Sequence, residues 1–188
     1  GRKINKKNMT TPEVSINTEG KITWENGTGA TGYEVKIGSE DWETATSGSK
    51  SISTEEAGTK TVKVRAVTTN GNYNTPSEEG TASKEVYSLT LNKGTGISNT
   101  SGAGNYVEGK QVSIDATVSA GYAWKEWTKQ SGTSPASATT KNTTVTIGAN
   151  TELTATTTIH SSKLTINPNG GKVRVKSLQQ LHEEEREP

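Results

Sequence analysis

Apolar residues recur at every second position over much of the chain, with polar or charged residues between them. Val14 and Ile16 flank Ser15, and Ile22 and Trp24 flank Thr23. Tyr33, Val35 and Ile37 alternate with Glu34 and Lys36, and Val62, Val64 and Ala66 with Lys63 and Arg65. The same period returns at Tyr87, Leu89 and Leu91, at Val112, Ile114 and Ala116, at Val145 and Ile147, and at Leu153 and Ala155. A period of two places one face of a strand in a core and the other in water. Turn signals separate the runs: Glu19-Gly20, Asn26-Gly27, Ser47-Gly48, Ala57-Gly58 and Asn70-Gly71,. No stretch carries the 3.6 period of an amphipathic helix. The pattern therefore predicts an all-β chain built from antiparallel sheets, each with one wet face.

Composition sharpens this picture. Only 27% of the 188 residues are hydrophobic and Phe is absent, so the cores must be thin,. A formal net charge of +1 removes the strong repulsion expected of a disordered chain and gives no field to steer nucleic acid,. No apolar run is long enough to cross a membrane as a helix. The lack of Cys excludes thiolate metal sites, thiol nucleophiles and disulfides,.

Residues 1–11 are polar and basic without periodicity, and read as a linker. From Pro12 to about residue 86 the chain resembles a fibronectin type III domain of the bacterial kind. The features that carry the resemblance are Pro12 at the entrance, Trp24 in the second strand, and Gly32-Tyr33-Glu34-Val35-Lys36-Ile37 as the third. Val62-Lys63-Val64-Arg65-Ala66-Val67 resembles the sixth strand and Thr75-Pro76-Ser77 the turn before the last. The resemblance implies an antiparallel sandwich with Trp24 packed between its sheets. Lys60 stands where the family carries its tyrosine corner, so that corner is expected to be missing.

Residues 87–158 follow without a linker and resemble a divergent B-repeat of the internalin type, a small strand-rich module of bacterial surface proteins. The resembling pieces are Tyr87-Ser88-Leu89-Thr90-Leu91, Gly104-Asn105-Tyr106-Val107-Glu108-Gly109, Val112-Ser113-Ile114-Asp115-Ala116, Gly121-Tyr122-Ala123-Trp124 and Trp127. Leu89-Thr90-Leu91-Asn92 reappears as Leu164-Thr165-Ile166-Asn167, so residues 159–175 read as the start of a second, truncated repeat. The charged stretch 176–188 reads as a disordered or appended tail, expected to be the first segment lost to proteolysis.

Candidate chemistry is sparse. His160 and His182 are the only neutral-pH bases, and both fall outside the expected cores, away from any carboxylate that would orient them,. The carboxylate groups Glu40-Asp41-Glu43, Glu55-Glu56 and Glu78-Glu79 fall in or near turns, where charge is solvated. Glycines 94–104 have neither the following helix nor the Gly-Lys-Ser/Thr ending of a phosphate loop. No catalytic residue, cofactor site or metal site is expected. The aromatic residues Trp42, Trp124 and Trp127 are candidates for a ligand-binding face, on which a glycan or a host surface protein would stack. Against this, Trp124 and Trp127 could supply the buried area that a Phe-free core lacks, whereas Trp42, among acidic neighbours, is expected to be exposed.

The two resemblances imply a non-catalytic, extracellular stalk or spacer of a bacterial cell-surface or secreted protein. The chain is expected to be monomeric and not inserted in a membrane, and its linkerless joint to restrict bending. A glycan- or host-protein-binding adhesin module, or an accessory segment of a secreted hydrolase, remains open at this point.

Overall fold

The computed structural model describes residues 5–160, and every regular element among them is a strand. In chain order these are β1 (Lys7–Asn8), β2 (Ser15–Ile16), β3 (Ile22–Thr23), β4 (Gly32–Ile37), β5 (Glu43–Thr44), β6 (Gly58–Val67) and β7 (Tyr73–Asn74). Then follow β8 (Gly80–Lys93), β9 (Ile97–Ser101), β10 (Gly104–Val107), β11 (Gln111–Val118), β12 (Tyr122–Ser131), β13 (Thr143–Thr146) and β14 (Thr151–Ile159). The all-β class read from the alternation is therefore the observed one. The expected second-repeat start and tail lie outside the described residues beyond His160.

The chain forms two compact units. Among the described residues the first comprises 5–88 together with 105–110 and 147–149. Its larger sheet is antiparallel in the order β5-β4-β6-β8, with Val35 opposite Val64 and Val62 opposite Ala82. Its smaller sheet pairs β2 with β3 and is extended by the Lys21–Ser51 bridge. The alternating residues do what their period requires. Val62, Val64 and Ala66 are buried while Lys63 between them is exposed. Ile16 and Ile22 from the smaller sheet, with Trp24 and Ile52 beside it, meet Tyr33, Val35, Val62, Val64 and Val86 from the larger in one core. The Trp24 and Tyr33 rings, 5.5 Å apart and tilted by 48°, join the two layers.

Five contributors to this core lie outside the alternating runs, and two of them come from segments not expected to reach it. Met9 is buried in it, and Lys7–Asn8 pair in parallel with Tyr73–Asn74. Residues 7–9, expected to be part of a linker, are instead tied down. One apolar side chain among polar neighbours has no periodicity to betray it, yet it can close a core edge. Val107 is the other, buried in the same core from within residues 105–110. The backbone N–H of Glu108 donates to the carbonyl of Glu85 at 2.9 Å. The Glu108 carboxylate accepts from the Glu85 N–H at 3.1 Å, and Lys110 pairs with Glu19.

Among the described residues the second unit holds 89–104, 111–146 and 150–160. One sheet places β14 between the end of β8, to which it runs parallel, and the antiparallel β12. The other has the order β13-β11-β9. Its buried side chains include Leu89, Ile114, Trp127, Val145 and Leu153, so β8, β11, β13 and β14 each bury the face their alternation marks. The glycine-rich segment 94–104 holds β9, which pairs with β11, where the sequence suggests only turns. Ile97 is its single buried apolar residue, too little for a visible period.

Candidate functional site

The tryptophans expected to form a face fall in different surroundings. Trp42 lies in the loop between β4 and β5 of the first unit and is half-buried, not exposed. Glu34 and Arg65 face each other across β4 and β6, and the Arg65 Nε donates to Glu34 Oε1 at 2.9 Å. That bond holds the Arg65 guanidinium 4.0 Å from the centre of the Trp42 ring. A cation already covers one π-face, so Trp42 offers a ligand only part of its surface.

Trp124 and Trp127 belong to β12 in the second unit. A bulge between Trp124 and Glu126 shifts the register, and their rings meet edge to face with centroids 5.4 Å apart,. Trp127 is buried, whereas Trp124 is half-buried rather than core. Both indole N–H groups donate to the loop between β12 and β13, Trp124 to the carbonyl of Thr139 at 2.9 Å and Trp127 to that of Lys141 at 3.0 Å. The pair thus staples a loop that has no strand pairing of its own. The Lys141 Nζ, held by the same loop, donates to Asp115 Oδ1 and to the Ala116 carbonyl, each at 2.9 Å. The hydrogen bond from Lys141 keeps the Asp115 carboxyl below the usual aspartate range, so the two form an ion pair,.

Residues 87–159 match the family model of the divergent InlB B-repeat domain. This module is typical of bacterial surface proteins, and the match supports the resemblance drawn from Tyr87 to Trp127. No fibronectin type III domain is identified in the chain. No curated protein and no solved structure matches it. The compact units and the matched stretch do not share a boundary, since residues 105–110 and 147–149 of that stretch belong to the first unit.

The remaining candidates stay apart. His160 is exposed, while His182 lies outside the described residues. Glu40, Asp41, Glu55, Glu56, Glu78 and Glu79 are exposed on loops and bends, and Glu43 pairs with Lys50 at 2.7 Å. Among the described residues no three His, Asp or Glu side chains converge as a metal site. What the sequence did not reveal is a groove of about 470 Å³ in the first unit, lined by the segments on either side of the β2–β3 pair. Nothing in a string of Thr, Ser and Glu signals concavity; it arises from where two strands stop pairing.

Proposed function

We propose that the chain is a non-catalytic part of a bacterial surface protein that spaces or presents other domains. The observation that carries this reading is the B-repeat match over residues 87–159. We further read the first unit as a fibronectin type III-like sandwich. Its support is the sheet order β5-β4-β6-β8 opposite a β2–β3 layer, with Trp24 between the layers. That arrangement is the one sandwiches of this kind share without sequence similarity. Treating intact cells of the source bacterium with protease should release peptides of this chain. Release only after the cells are lysed would refute an extracellular role.

A further inference from the structure

β2 and β3 pair only at Ser15–Thr23 and Ile16–Ile22, and beyond Thr23 the two segments part. Pro12 lies in the departing segment and has no N–H to donate, so it cannot continue the ladder toward Trp24–Asn26,. The gap does not run open. At its far end a Cβ on Gly27 would stand 3.4 Å from Thr10, and the Gly27 N–H is tethered to the Tyr33 hydroxyl at 2.6 Å. The result is an eyelet bounded at both ends and open to solvent along its face, a groove of about 470 Å³, within the range of small-ligand sites,.

Its lining has a definite chemistry. Thr10, Thr11, Ser15 and Thr23 bring hydroxyls, and Asn26 an amide. Glu13 and Glu25 bring carboxylates that no Lys or Arg lining the groove neutralises. Trp24 forms part of the wall, and its buried indole N–H has no hydrogen-bond partner among the described residues. Carboxylates and amides that accept and donate in pairs, beside an aromatic wall, suit a ligand dense in hydroxyls. Two unneutralised carboxylates exclude an anionic one.

We propose that this eyelet is a binding site for a short neutral oligosaccharide. The site goes beyond the spacing role and rests on the first unit alone. The test is titration of the full chain, ¹⁵N-labelled, with cellotriose, maltotriose, chitotriose and sialyllactose. At least one neutral trisaccharide should give saturable shifts confined to residues 10–27 and the Trp24 indole. Sialyllactose should bind at least about tenfold more weakly. Glu25→Gln and Asn26→Ala change exposed side chains, so both should keep the parent melting temperature,. Each should weaken the neutral sugar by about tenfold or more. The proposal is overturned if no neutral sugar shifts these residues at about 10 mM. It is equally overturned if the shifts map to Trp42 or Trp124, if the variants bind as the parent does, or if only a tetralysine peptide fills the groove.

Discussion

Trp124 and Trp127 are three positions apart, touch each other, and both donate to one loop, yet burial separates their roles. Trp127 is 2% exposed, and Trp127→Ala should cost about 3–5 kcal/mol in the denaturation of the second unit,. Trp124 is half-buried. Trp124→Ala should cost well under that, about 0.5–1.5 kcal/mol from its bond to Thr139 plus a share of its packing,. Equal losses for the two variants would show that the loop, not burial, sets the energy. Asp115 makes a second test at this scale. Its folded pKa is depressed by Lys141, so its contribution is present above the ordinary aspartate value and fades as pH falls through the folded value,. The pair is exposed by about two-fifths on each side, so the effect on stability is small and the cleaner readout is the carboxyl itself,. In an NMR titration Lys141→Met should return the Asp115 pKa to the ordinary range, and an unchanged midpoint would refute the assignment.

At the scale of the element, what the sequence made legible is the period, and what it hid is every departure from it. β4, β6 and β11 bury Tyr33, Val35, Val62, Val64, Val112 and Ile114 as their alternation requires. β12 escaped because the bulge at Trp124–Glu126 breaks its period, and β9 because Ile97 alone marks it. Two turns in the first unit show a contrast that sequence could not resolve. Gly29 and Gly38 both have positive φ, 88° and 58°, but their surroundings differ. A Cβ on Gly38 would meet nothing within 4 Å, whereas one on Gly29 would stand 2.6 Å from the Tyr73 ring. Gly38→Ala should therefore cost only the left-handed backbone strain, about 1–2 kcal/mol. Gly29→Ala carries that strain and also displaces the Tyr73 ring, so it should cost more. Chemical denaturation of the two variants decides it, and a Gly38 variant as damaged as the Gly29 one would mean that strain alone governs these turns.

At the scale of the whole molecule, the sequence marks the module boundary near Tyr87, and the family match begins at residue 87. The folding units divide the chain differently, because a core is closed by whichever apolar side chain reaches it. Alternation reports only neighbours along the chain, so it could not assign Val107 to a core made mostly of residues before 88. Val107 is 1% exposed in that core, beside backbone and side-chain bonds that join Glu108 to Glu85. Burying a valine side chain is worth about 1.5–3 kcal/mol, a large fraction of the stability of a domain this size. Val107→Ala in the full chain should therefore lower the stability of the first unit by an amount in that range, read from Trp24 indole and Val64 methyl signals during denaturation. A chain ending at Ser88 loses this side chain and the Glu85–Glu108 bonds together, and should unfold at markedly lower denaturant than the first unit of the full chain. If Val107→Ala instead destabilised only Trp127 and Leu153 in the second unit, or the shortened chain kept the full midpoint, residues 105–110 would be ornament to the first core rather than part of it.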